Sequence, residues 1–232
     1  MSAQTLHLRP TAALADRALL PGDPGRALAL AQMLLTDPLM FNHHRGLWGY
    51  TGGASDGHPL TIQSTGMGGP SAAIVLEELA MLGLRRAVRV GTCGALAPEL
   101  ELGDLVVARE AIAADGTSRA LGAGARAAAD SAISEALARA DGPRAGTVVS
   151  TDLFYDPDPE RNHRWRESGA LAVEMEAATL FAVAQRRGLR VGAILAVSDR
   201  FGPDGRERID DELLLAVAES MGAIAVAALG EV

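Results

Sequence analysis

The sequence contains a single cysteine in 232 residues, and only 3% of its side chains are aromatic. A lone Cys93 excludes an intrachain disulfide framework and fits a reducing compartment. With so few aromatics, the 48% of hydrophobic residues is carried mainly by Ala, Val, Leu and Ile, which suits helices packed closely on a sheet. Positive charge is also short: 21 basic residues face 29 acidic ones, and a net charge of -8 gives no footprint for nucleic acid or an anionic membrane. Long hydrophobic runs are missing as well. The stretch MGAIAVAALG falls well short of the roughly 20 residues that span a bilayer. The amino-terminal MSAQTLHLRPTAALADR is interrupted by Arg9, Asp16 and Arg17, unlike the core of a signal peptide. The expectation is a soluble, cytoplasmic protein with small-molecule partners.

Strand-length apolar runs alternate with helix-length amphipathic segments along nearly the whole chain. RALLPGD reads as a strand and turn, and PGRALALAQMLL as a helix opened by Pro24. GLWGYTGG and HPLTIQSTG flank Ser55-Asp56-Gly57, a hairpin signal. Further strands are expected at RAVRVG, DLVVARE, GTVVS, ALAVEM and VGAILAVSD. Helices are expected at SAAIVLEELAMLG, around residues 124 to 140, near DPERNHRWRES, at EAATLFAVAQRRG and from about Asp210. This order predicts an α/β fold, a single domain over residues 1–232, with a central mixed, largely parallel β-sheet flanked by helices on both faces. Four apolar strands end in polar chemistry, at RVGTCG, VVSTDLFY, AVEME and LAVSD. Ligands of open α/β sheets bind beyond the carboxyl ends of strands, so these four ends are expected to converge.

Several residues stand out. Gly22 and Arg26 in PGDPGR could approach an anion through backbone N–H groups and a guanidinium fork, or form a turn with a surface arginine. Arg89 lies inside an apolar strand, where a charge is costly unless paired or liganded; a structural ion pair and an oxyanion ligand both remain open. STGMGGPSAA half resembles a dinucleotide fingerprint, but it belongs to a hairpin and Pro70 occupies the helix start, so close backbone approach to another ligand or a tight helix entry fits better. Cys93 has no partner placed to activate it and reads as a small packed residue. The five histidines show no metal-ligand spacing. Glu174 and Glu176, two apart at a strand end, could hold sugar hydroxyls or serve acid and base roles, or Glu176 could open the following helix. Asp199, after the apolar run VGAILAV, is either a turn-forming cap or a desolvated acid that carries or shares a proton.

Taken in order, LLPGDPGRA, NHHRGLWGYTG, STGMGGPSAAIVLEEL, RVGTCGAL, STDLFY, VEMEAATLF and AVSDR resemble the nucleoside phosphorylase family over nearly the whole chain. The likeness is to the bacterial hexameric purine nucleoside phosphorylases with their uridine phosphorylase relatives. It implies a phosphate site at Gly22, Arg26, Arg89 and Thr92, with Arg45 lent by a neighbouring subunit. It implies ribose contacts from Met67, Met175 and Glu176, with His7 lent across the same interface. Cys93, Gly94, Phe154, Val173, Glu174 and Ser198 would line the base pocket, and Asp199 would be the acid that serves the five-membered ring of a purine leaving group. Inorganic phosphate would be the co-substrate, with no cofactor and no metal, and the assembly would be a homohexamer built as a trimer of dimers. Relatives with Asp at position 199 accept amino and oxo purines, whereas some with Asn favour oxo purines. The Gln and Arg pair of uridine phosphorylases has no match here. A uridine phosphorylase, a hydrolytic nucleosidase of the same fold and a non-catalytic nucleoside-binding homologue are the alternatives. Arg206 and Arg208 follow Asp199, but neither sits at the family's expected distance from it. The segment from about 113 to 128 is shorter than the family's usual loop.

Overall fold

The computed structural model describes residues 5–202 and 205–232. Of the amino-terminal stretch considered above, residues 1–4 lie outside the described residues. The chain opens with a fully buried strand β1 (Arg17–Leu20) and helix α1 (Pro24–Leu34). Asp23 caps α1, its carboxylate accepting from the Arg26 N–H at 2.6 Å, and Pro24 occupies the first turn, where a missing N–H costs nothing. Strands β2 (Leu35–Asn42), β3 (Gly49–Ala54) and β4 (Pro59–Gln63) then form an antiparallel meander. The Ser55-Asp56-Gly57 turn stands where its sequence predicts it, with Gly57 at φ 79°. Strand β2 has no counterpart among the sequence expectations. Pro38 and a positive-φ Asp37 interrupt it, and two register shifts break the alternation that would reveal a strand.

Helix α2 (Gly69–Leu82) leads to β5 (Arg86–Ala95), β6 (Leu105–Ala113) and a short α3 (Gly116–Ala120). The helix expected over residues 124 to 140 is shorter than its alanine content suggests. Residues Arg126–Ala128 form strand β7 against β6, and only Ser131–Ala138 form helix α4, opened by Asp130 accepting from the Ile133 N–H at 2.9 Å. Edge pairing and a strong cap override helix propensity there. Strand β8 (Arg144–Ser150), helix α5 (Arg161–Glu167), strand β9 (Ala170–Glu174) and helix α6 (Ala177–Arg187) follow. The chain ends with β10 (Arg190–Gly202), β11 (Gly205–Arg208) and helix α7 (Asp211–Gly230).

The sheet is mixed, and part of it closes on itself. β10 pairs with β5 in parallel and with β6 antiparallel, β6 with β8 and β8 with β9 in parallel, and β9 returns antiparallel to β5. β8 and β9 therefore run opposite to β5 and β10. The four strand ends singled out by sequence do not share one carboxyl edge; ring closure brings them together, with Val173 opposite Gly94 and Glu174 opposite Ser150. Helices cover both faces. α2 and α6 bury Val75, Leu79, Leu180 and Phe181 on one side, while α1, α4 and α7 bury Leu30, Ile133, Met221 and Leu229 on the other. α7 is a correction: with 20 residues and a mean hydropathy of 2.0 it is long and apolar enough to cross a membrane, although the sequence reading found no such run. Here it packs one face against α1, β5 and β10.

Candidate active site

Arg89 lies in the middle of β5 and is 3% exposed. Its Nε donates to Glu174 Oε2 at 2.9 Å, and its Nη2 pairs with Glu176 Oε2. The structural ion pair left open for it by sequence is therefore present, while the third nitrogen, Nη1, is buried with no hydrogen-bond partner among the described residues. Burial would make this guanidinium easier to deprotonate, but the Glu176 and Glu174 carboxylates outweigh it and hold the proton more firmly than usual. The space for this arrangement is provided by Gly91, where a Cβ would come within 2.7 Å of the Arg89 guanidinium. Glu176 Oε1 also accepts from the Gly68 N–H at 2.6 Å, which ties the STGMGG loop to the start of α6.

The unpartnered Nη1 faces the loop after β1: a Cβ on Gly22 would be 4.0 Å from it and 3.4 Å from the Gly66 carbonyl oxygen. Arg26, in the first turn of α1, is half-buried. Burial above all, and then the like charges of Arg89 and Arg208, make its proton easier to lose, against the pull of Asp23 and Glu176. Several guanidiniums gathered around an unsatisfied buried donor form an electrostatic setting that an oxyanion would relieve. Thr92, also expected at the anion, is half-buried on β5.

Asp199 is 4% exposed and is not the last residue of its strand. The register of β10 on β5 shifts between Val197, opposite Cys93, and Asp199, opposite Gly94, so Ser198 is the extra residue of a bulge. Beyond the bulge, β10 continues to Gly202 and pairs with β11, which places Arg208 directly across from Asp199. Arg206 Nε donates to Asp199 Oδ1 at 2.8 Å, Arg208 Nη1 reaches the same oxygen at 3.4 Å, and the Ser198 hydroxyl lies 2.7 Å from Oδ2. Although neither arginine stands at the family's expected sequence spacing from Asp199, the hairpin folds both back onto it. A turn-forming cap is excluded for Asp199 by the same hairpin.

Phe154, after β8, is 46% exposed, and the Arg206 guanidinium carbon lies 4.0 Å over its ring centre. Phe201 lies 5.7 Å from the same carbon and closes over Gly94, where a Cβ would come within 2.9 Å of the ring. Cys93 is buried, its thiol 3.6 Å from the Ala196 carbonyl and pushed up by burial, so it is a packed side chain with no thiolate character. Val173 and Met175 are half-buried on either side of Glu174, and Met67 is 86% exposed between Gly66 and Gly68. The Glu174 carboxylate is spent inside the protein: besides Arg89 it accepts from Ser150 Oγ and from the N–H groups of Glu176 and Ala177, both at 2.9 Å.

His7 and Arg45 stand apart from these groups. The Glu78 carboxylate accepts from the N–H groups of Leu6, His7 and Leu8, and one of its oxygens lies 2.7 Å from His7 Nδ1. Burial pushes Glu78 up, but these donors more than offset it, so its carboxyl lies below the usual range. Arg45 is exposed at φ 61° in a short turn, His44–Gly46, and forms no ion pair among the described residues. Neither joins the Arg89, Glu176 and Asp199 groups. A cavity of about 790 Å³ opens elsewhere, beside Arg17, Asp37 and His58, and none of the residues selected from sequence lines it.

Sequence reasoning missed Ser150, Phe201, Glu78 and the Gly68 N–H. For Phe201 and the two arginines a signal was available. GPDG between DRF and RER is a turn signature, and a tight turn there pairs Asp199 with Arg208 by counting.

Residues 16–230 match the family described as Phosphorylase superfamily. The chain is 37% identical over 207 residues to a protein named purine nucleoside phosphorylase DeoD-type from Clostridium beijerinckii, covering 85% of this chain and 86% of that one. It is 39% identical over 204 residues to a guanosine phosphorylase from Halorubrum lacusprofundi, covering 84% of each. Among solved structures, a uridine phosphorylase from Vibrio fischeri superposes with a TM-score of 0.84 at 26% identity, over 94% of this chain and 93% of that one.

Proposed function

This chain belongs to the phosphorylase superfamily, and we propose that within it the chain is a purine nucleoside phosphorylase, a pentosyltransferase. It would cleave the N-glycosidic bond of purine ribo- or deoxyribonucleosides with phosphate, giving free base and (deoxy)ribose 1-phosphate. The observation that carries this is the unpartnered, buried Nη1 of Arg89 facing the Gly22 loop, with Arg26 nearby. Hydrolysis needs no such anion site. Curated relatives at 37–39% identity bear purine and guanosine names, which favours purines over the uridine of the structural neighbour.

In this account Gly22, Arg26, Arg89 and Thr92 hold phosphate against the anomeric carbon, a contribution of orientation and charge. Glu176 grips the ribose hydroxyls, and Met67 and Met175 pack on the sugar. The base stacks on Phe154 between Cys93, Gly94, Val173 and Ser198. As the glycosidic bond stretches, Asp199 donates to or hydrogen-bonds the five-membered ring, general acid catalysis worth about 10²–10⁴ in rate. Arg206 and Arg208 hold Asp199 in place for this. His7 and Arg45 complete a neighbour's site, in a homohexamer built as a trimer of dimers. Their separation from the Arg89 group supports that assignment, since within one chain they have no role there. The lone cysteine supports a cytoplasmic setting.

The test is a substrate panel of adenosine, inosine, guanosine and uridine, each with phosphate present. Turnover of the purines well above uridine supports the proposal, and preferential turnover of uridine overturns it.

A further inference from the structure

Glu174 is placed by resemblance among the base contacts, yet its side chain is fully buried and every partner it has is a donor. Oε1 accepts from Ser150 Oγ and the Ala177 N–H, and Oε2 accepts from Arg89 Nε and the Glu176 N–H. Burial, against the pull of Arg89, pushes the Glu174 carboxyl above its usual range, yet with donors on every side it is held as a carboxylate, whose about four lone-pair sites leave none for a base. Ser150 is itself held on both sides, because its oxygen accepts the Ala178 N–H at 2.8 Å while its hydroxyl donates to Glu174. The N–H groups of Glu176, Ala177 and Ala178 thus all point toward one anchor at the start of α6, where a negative charge is favoured.

The two carboxylates on Arg89 differ in what they leave free. Glu174 has no spare acceptor, whereas Glu176 is bound by one backbone N–H and by Arg89 Nη2, and retains capacity on both oxygens. A guanidinium held at Nε by a fixed carboxylate cannot rotate, so the direction of its Nη1 is set before any ligand arrives. We propose that Glu174, supported by Ser150, is the positioning residue of the phosphate site: it locks Arg89 so that Nη1 faces the Gly22 loop, and leaves Glu176 as the exchangeable partner that turns to the sugar. This deepens the phosphorolysis reading and rests on it.

The test compares Michaelis constants for phosphate and for inosine in the wild type, Glu174→Gln and Ser150→Ala, together with the rise in Tm on adding inorganic phosphate. Glu174→Gln removes the negative charge that holds Arg89 Nε, so the charge-assisted bond of the lock is weakened. The expected result is a phosphate KM raised about tenfold or more, an inosine KM changed less than about threefold, and a reduced phosphate-induced Tm rise. Ser150→Ala removes one donor and should raise the phosphate KM about threefold. If Glu174→Gln does not fold, Ser150→Ala decides: a raised phosphate KM supports the proposal, and an unchanged one overturns it. Variants that raise only the inosine KM, or change the preference between adenosine and inosine, would make Glu174 a base contact and overturn it alone. Wild-type base release that ignores phosphate would overturn the phosphorolysis reading, and this proposal with it.

Discussion

Arg206 donates its Nε–H to Asp199 at 2.8 Å while its guanidinium carbon sits 4.0 Å above the Phe154 ring. The same side chain therefore orders the acid and covers the aromatic face on which a base would stack. A planar ligand that stacks on this face of Phe154 displaces Arg206 from it, giving up a cation–π contact worth about 0.5–1 kcal/mol at an exposed site.

Replacing Arg206 by Ala removes this competition and one support of Asp199 together. The nucleoside KM should fall about two- to fivefold, the equivalent of that contact. kcat should fall as well, because Asp199 loses its closest donor. Steady-state kinetics with inosine at saturating phosphate reads both; an unchanged KM would mean that Arg206 does not occupy the base face.

Asp199→Asn keeps the acceptor for Arg206 but removes the proton that the carboxyl can carry. Adenosine turnover should fall about 100-fold or more. By resemblance to relatives with Asn at this position, inosine should lose less. Equal turnover of adenosine by the variant and the wild type would remove Asp199 from the chemistry.

Arg26 is crowded by Arg89 and Arg208. Arg26→Met should raise the phosphate KM about tenfold or more while leaving Tm unchanged or higher in phosphate-free buffer, since a like-charge contact is relieved. In the wild type, added phosphate should raise Tm by mass action, and that rise should shrink in the variant. Thermal unfolding with and without phosphate checks both.

Arg17 is 1% exposed and donates to both oxygens of Asp56 in the β3–β4 turn. The hydrogen bond from Arg17, ahead of an opposing contribution from burial, holds the Asp56 carboxyl down at about 2 against an ordinary 3.8. A carboxyl depressed in the folded state contributes stability that is full above about pH 4 and lost as pH falls through 2. Asp56→Asn should therefore lower Tm at pH 7, and its Tm should fall less than the wild type's between pH 4 and pH 2. Parallel curves would contradict this.

Much of the fold was legible because period and punctuation agree with tertiary structure. Pro24 after Asp23, the Asp56-Gly57 turn and the apolar runs of β5, β8 and β10 each specify their element locally. β2 and β7 were hidden because a positive-φ Asp37 and an alanine-rich segment carry no alternation, so pairing partners rather than sequence determine them. Sheet closure was equally out of reach, since the direction of β9 relative to β5 depends on pairings such as Gly94 with Val173, far apart in the chain. At the site, the residue types in the motifs were readable but their partners were not. Nothing in VEMEAATLF distinguishes Glu174, saturated by four donors, from Glu176, which retains free lone pairs.

The most direct test of the central claim is base release from inosine and adenosine in phosphate-free buffer and again with phosphate added. The account predicts negligible release without phosphate, and release with phosphate that yields ribose 1-phosphate in step with free base. Undiminished release in phosphate-free buffer, with free ribose as the sugar product, would contradict it.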